Sequence, residues 1–169
     1  MTCPMTDAVV AFVGRSGSGK TTLLTQVIPA LAALGVRAAV VKHAPDHAVV
    51  TDCPGSDTHR FWAAGAQHVA LAARDRVVHT HRYAADPGLS ATLSGVHDVD
   101  LILLEGYKRS GVPKVEVIRG ACNPQPLSGL VGRIACVTDV TDLVLEVPCF
   151  GFDAVAPLAA FLMAQVVRH

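Results

Sequence analysis

The sequence predicts an α/β fold: a mostly parallel, doubly wound sheet with some antiparallel strands and helices on both faces. Three observations carry this. Apolar runs of strand length alternate with longer stretches whose apolar residues recur at helical spacing. The first run, "AVVAFV", leads straight into "GRSGSGKTT" at residues 14–22, a glycine-rich loop between a strand and a helix. A later run, "LILL", ends on an acid, Glu105, where a parallel sheet presents the carboxyl end of a strand to a ligand. The loop fits G-x-x-x-x-G-K-[ST], which narrows the class to the P-loop NTPase fold. At 169 residues, the chain fits a single nucleotide-binding domain over 1–169.

The elements follow in order. After the first strand and its loop, Leu24, Val27, Ile28 and Leu31 recur on one face of a helix over about 20–34. Pro29 inside it predicts a bend or an early end, and Gly35 predicts the stop. "RAAVVK" reads as a second strand buried on both faces. Residues 44–56, rich in turn formers, make a long connection of the kind that is more often functional than idle. "DTHRFWAAG" then reads as a short helix with Asp57 as its N-cap. "HVALAA" and "RVVHTHR" predict a hairpin or antiparallel edge, with His79 and His81 on one solvent face. Asp86 and Pro87 open a helix to about residue 96. "LILLEG" is a buried parallel strand, "KVEVIRG" an alternating one and "RIACVTD" another buried one. "LVLEVPCFGF" is a candidate last strand. A closing helix is capped by Asp153 and turns Val155, Leu158, Ala159, Leu162 and Val166 inward.

Composition excludes several classes. Lys plus Arg and Asp plus Glu number 14 each, so no electrostatic footprint for nucleic acid or an anionic membrane is present. The chain is 51% apolar, largely through alanine and valine, and no run nears the ~18 residues of a spanning helix. "MTCPMTD" does not read as an export signal. Five cysteines without a C-x-x-C pair suit reduced thiols in the cytoplasm.

The loop's chemistry follows from its residues. Gly14, Gly17 and Gly19, with Arg15, Ser16 and Ser18 between them, form a tight turn whose backbone N–H groups face an anion at the mouth of a helix. Lys20 reaches the outer phosphates of a nucleotide, Thr21 supplies a hydroxyl to Mg²⁺, and Thr22 closes the nucleotide-binding stretch. Arg15 folds over the γ-phosphate, reaches across a dimer, or simply faces solvent.

Two acids flank the "LILL" strand. Asp100 and Glu105 stand roughly 16 Å apart at ~3.3 Å per residue and cannot share one ion. Glu105, at the carboxyl end, is the metal and water-placing candidate. Asp57 opens a short helix and is a second candidate for an outer position on Mg²⁺ or for fixing a water. Lys42 and Lys108 supply countercharge on the same rim. No N-K-x-D segment reads guanine here. Asp139, at the end of "CVTD", takes a comparable place, where its carboxylate would accept from N1 and N2 of the base. His43, His47 and Cys53 form a loose set without the compact pair that marks a zinc or nickel site.

The ordered set "GRSGSGKTTLL", "IPAL", "VVKH", "PGSDTHRFWAAGA", "DLILLEGYK" and "PKVEVIR" resembles the molybdopterin-guanine dinucleotide biosynthesis protein B (MobB) family, most clearly over residues 9–119. The resemblance implies a homodimeric, GTP-binding protein with weak GTPase activity. Its partner would be the guanylyltransferase that joins GMP to the molybdenum-bearing pterin, and molybdopterin itself is a further candidate ligand. It carries the family's loop onto residues 14–22, its helix-opening acid onto Asp57 and its strand-end acid onto Glu105. Ser56 stands where many relatives place a lysine. Alternation in "RVVHTHR" and "KVEVIRG" suggests strands that pair across a symmetry axis. Two other functions use the same residues. A small-molecule kinase would take its acceptor at 44–56, though no arginine-rich lid follows "LILLEG". A nucleotide-gated metal-delivery protein would use His43, His47 and Cys53.

Overall fold

The computed structural model describes residues 8–44 and 52–166. In chain order the elements are β1 (Val9–Val13), α1 (Lys20–Ala33), β2 (Ala38–Lys42), α2 (Asp57–Ala63), β3 (His68–Ala72), β4 (Val77–His81), α3 (Gly88–Leu93), β5 (Leu101–Glu105), β6 (Lys114–Ile118), β7 (Arg133–Thr138), β8 (Cys149–Phe150) and α4 (Val155–Val166). The chain forms two compact units, Met1–His43 with Ser94–His169, and Ala44–Leu93.

The larger unit holds a six-stranded sheet in the order β2-β5-β1-β6-β7-β8, and every pairing in it is parallel. Because successive strand residues face opposite ways, one face carries Val10, Phe12, Leu101, Leu103, Val115, Val117, Ala135 and Val137. These join Leu23, Leu24, Val27 and Leu31 of α1 and Leu158, Ala159 and Leu162 of α4 in one core. Burying each larger side chain contributes about 1.5–3 kcal/mol. Ala11, Val13, Ile102 and Leu104 on the opposite face are buried as well, so β1 and β5 read as unbroken apolar runs rather than alternating ones. The smaller unit contains the antiparallel hairpin β3-β4, which pairs His68 with His81 and Ala70 with His79. His68, His79 and His81 therefore share one exposed face, and His68 Nε2 lies 3.0 Å from His79 Nδ1.

Several elements differ from the sequence expectation. β2 is not buried on both faces: it is an edge strand paired only with β5, and Val40 is 43% exposed. Helix α1 does not end at Pro29 but runs on to Ala33, since Pro29 lies on the exposed side, where a freed carbonyl reaches water. Ser56, not Asp57, caps α2, its Oγ accepting from the His59 N–H at 3.2 Å; Asp57 is the first helical residue. Helix α3 is only six residues, with Asp86 Oδ1 accepting from the Gly88 N–H at 2.8 Å. The last strand shrinks to two residues beside Pro148, which cannot donate to a ladder, and Val144 before it is 92% exposed. The N–H of Leu158 donates to the Ala154 carbonyl, which puts Ala154 rather than Asp153 at the cap of α4. Strand β6 is no edge awaiting a second copy. It is an interior strand, buried at all five positions, which removes "KVEVIRG" as sequence support for dimerisation. The segment "MTCPMTD", most of the 44–56 connection including His47, and the Val166 side chain lie outside the described residues.

Candidate functional site

Register places the chemistry. Lys42 pairs with Glu105, and Glu105 with Phe12, so β2, β5 and β1 end level, and the glycine loop leaves β1 at that rim. Gly14 fits because a side chain there would run into the Val117 carbonyl and lie 2.8 Å from Ser18 Oγ. Gly19 turns into α1 at φ 89°, a left-handed conformation that other residues adopt only with strain.

Two groups converge on the loop from opposite sides. On the β5 side, Thr21 Oγ1 donates to the Glu105 carboxylate, 2.9 Å from Oε1 and 3.0 Å from Oε2. The Lys42 ammonium lies 3.1 Å from Oε1. Lys20 Nζ donates to the Arg15 carbonyl at 2.7 Å and approaches Gly14 O and Ser18 Oγ at 3.4 Å each. Burial pulls the Lys20 ammonium below its ordinary range; Glu105 opposes this, and the nearby Lys108 and Lys42 charges add to it. Three cations and one carboxylate thus share the rim, an environment suited to a polyanion with a divalent ion. The next residues are shaped for the same corner. The His43 N–H donates to the Glu105 carbonyl at 3.0 Å, and its ring stacks on Tyr107 at 4.5 Å. Tyr107 holds φ 54°, a strained backbone for an aromatic residue and a common mark of functional turns.

On the other side, β6, β7 and the segment after β8 end together. The Arg119 guanidinium lies over the Phe152 ring at 3.9 Å, and its Nη1 is 3.7 Å from Asp139 Oδ2. Asp139 Oδ1 accepts from the Gly120 N–H at 2.7 Å. Cys122 donates from Sγ to the Gly17 carbonyl at 3.2 Å. Sequence reading singled out Asp139 but missed Tyr107, Arg119, Cys122 and Phe152. "EGYK" contained the tyrosine, whereas Arg119 and Phe152 are 33 positions apart and meet only through the sheet order.

Arg15, Ser16, Gly17 and Thr22 are exposed and Ser18 is buried. Asp57 belongs to the Ala44–Leu93 unit, is 84% exposed and pairs with Arg60 at 3.6 Å. Among the described residues no group of three or more His, Cys, Asp or Glu is arranged to hold a metal ion, and of the set His43, His47 and Cys53 the middle member is outside them. Cys53, Cys122, Cys136 and Cys149 are free thiols, and burial pushes Cys136 up to about 12. Among the described residues no helix is long and apolar enough to cross a membrane.

Known proteins resemble this chain in sequence and in fold. The profile of "Molybdopterin guanine dinucleotide synthesis protein B" matches residues 9–139. The "Molybdopterin-guanine dinucleotide biosynthesis adapter protein" of Escherichia coli K12 is 33% identical over 167 residues, 95% of this chain and 94% of that protein. The crystal structure of Bacillus subtilis MobB superposes with a TM-score of 0.72 at 24% identity, covering 94% of this chain and 97% of that one. A second crystal structure, of molybdopterin-guanine biosynthesis protein B, gives 0.70 at 26%, covering 92% and 98%. The fold is that of the P-loop NTPases, as expected, and the profile match and the near full-length identity carry it further: this chain belongs to the molybdopterin guanine dinucleotide synthesis protein B family.

Proposed function

We propose that the chain is a GTP-binding adapter of molybdenum cofactor biosynthesis, assisting a partner guanylyltransferase that attaches GMP to molybdopterin, with weak GTP hydrolysis of its own. It would act in the cytoplasm as a homodimer. The carrying observation is Thr21 Oγ1 within 3.0 Å of both Glu105 oxygens at the foot of a P-loop, in a chain of this family. A hydroxyl and a carboxylate brought together are hard oxygen donors of the kind Mg²⁺ takes, so the residues fit that ion. Thr21 and Glu105 would hold it, Asp57 remaining a candidate from the sequence, and it would neutralise charge on the phosphates.

The chain's own groups do the rest. Backbone amides of residues 14–22 bind the phosphates, Lys20 shifts from the loop carbonyls to the outer phosphate oxygens, and Lys42 and Lys108 add countercharge. Glu105 or Asp57 orients a water in line with the γ-phosphate, and turnover should be slow because the sequence offers no obvious strong activator other than Arg15. Asp139 accepts from the guanine edge. The alternative of a small-molecule kinase would show as phosphate appearing on an added alcohol or nucleotide instead of in solution.

Calorimetric titration tests the core of the reading. GTP should bind, more tightly with Mg²⁺ than with chelator, and Lys20→Ala should weaken it at least a hundredfold, equivalent to about 2.7 kcal/mol. A wild-type protein that takes up no GTP at millimolar nucleotide would remove this function.

A further inference from the structure

Arg119 and Phe152 are absorbed neither by the loop nor by the metal-side group, and their geometry is specific. The guanidinium lies over the ring at 3.9 Å, and both side chains cover the residue that precedes Lys20: a Cβ on Gly19 would lie 3.3 Å from Arg119 Nη2 and 3.6 Å from the Phe152 ring. Phe152 is partly buried and packed against the main core, so its ring is a fixed support. The Arg119 side chain is 37% exposed, so a flat ligand can reach it. A planar cation backed by an aromatic ring stacks well on heteroaromatic rings. On the other side of the loop, the Lys42, Thr21 and Glu105 contacts fill the rim with charged and polar groups, and Tyr107 is already stacked on His43.

We infer that Arg119, supported from beneath by Phe152, is the platform on which the nucleobase stacks, with Asp139 at its edge to select guanine. The inference rests on the nucleotide reading given above and extends it to the base. Asp139 is positioned to do so. One of its oxygens is fixed by the Gly120 N–H at 2.7 Å, and among the described residues the other has only the long 3.7 Å approach of Arg119. It therefore retains accepting capacity for the N1–H and N2–H donors of guanine, whereas adenine presents an acceptor at N1. Stacking of this kind changes affinity about tenfold or more per base.

The experiment compares Mg²⁺-bound GTP, ATP and inorganic tripolyphosphate by calorimetry on the full chain and on Arg119→Lys, Phe152→Leu and Asp139→Asn. Arg119→Lys keeps the charge and loses the planar face, while Phe152→Leu keeps apolar bulk. Both should weaken GTP about tenfold while tripolyphosphate stays within about twofold, and Asp139→Asn should narrow the gap between GTP and ATP. GTP affinity unchanged in Arg119→Lys, or falling in step with tripolyphosphate, overturns the platform. Wild-type protein that binds tripolyphosphate as tightly as GTP overturns the platform alone; wild-type protein that binds neither overturns the phosphate-loop reading and the platform with it. Should Phe152→Leu fail to fold, Arg119→Lys, at a part-exposed side chain, decides.

Discussion

Strands β5 and β6 flank β1 on either side, are five residues each, and are buried at every position, yet their sequences are opposite in kind. β5 is "LILLE", apolar until the rim. β6 is "KVEVI", with Lys114 2% and Glu116 1% exposed. Each buried charge in β6 is fully engaged. Lys114 donates to the carbonyls of Ser110 at 2.6 Å, Val112 at 2.9 Å and Val131 at 3.0 Å. Glu116 accepts from the Leu127 N–H at 2.5 Å and from Arg133 at 2.7 Å. The acid of β5 keeps its carboxylate at the rim beside a threonine and a half-exposed lysine. An acid inside a strand serves to tie loops to the sheet; an acid at the carboxyl end is left available to a ligand.

Substitutions can break or sharpen that contrast. The largest effect is expected for Glu116→Ala, which takes the partner from the part-buried Arg133 guanidinium and the Leu127 N–H: about 3 kcal/mol of unfolding free energy should be lost in urea titration. Adding Arg133→Leu to Glu116→Leu should recover much of it, because a matched apolar pair tolerates burial where a lone charge does not. Leu103→Ala at the centre of β5 should cost about 2–4 kcal/mol by leaving a cavity, with no rescue from any charge reversal. Glu105→Gln should shift the urea midpoint by the equivalent of less than about 1 kcal/mol, while erasing the difference between GTP affinity in Mg²⁺ and in chelator. If it unfolds the protein as Glu116→Ala does, the distinction between the two acids is gone.

The smallest effect lies at the other end of β5. Asp100 accepts from the Arg37 side chain at 2.8 and 3.0 Å and from the Arg37 N–H at 2.8 Å. These bonds hold its carboxyl at about 2, below the usual 3.8. A carboxyl depressed in the folded state adds stability above the unfolded value and loses it as pH falls through the folded one. In Asp100→Asn the urea midpoint should therefore change less between pH 4 and pH 2 than in the wild type.

Legibility in the sequence followed the same division. The glycine loop, "LILLE" and the first helix announce themselves locally, because backbone turns, apolar runs and helical spacing are short-range signals. Strand length separated Glu105 from Asp100, and position at the carboxyl end of the strand chose between them. What was missed depends on strand order. Edge position exposed β2, whose "AAVV" reads like a central strand, and central position buried β6, whose alternation reads like an edge. Arg119, Phe152 and Asp139 meet only because β6, β7 and β8 lie side by side, a fact no window of sequence contains. At α2 the miss was smaller: two adjacent capping residues competed, and Ser56 won the position three residues before the His59 N–H.

The Lys20 ammonium already rests on oxygens of the loop it belongs to, so an arriving phosphate offers it an exchange of partners more than a new bond. The net gain is then smaller than that of a bond made by a free ammonium, and part of the loss expected in Lys20→Ala comes from the loop itself. An alanine in its place would also let the turn slacken, so a variant that keeps a long, uncharged donor there would tell lost pull from lost bracing.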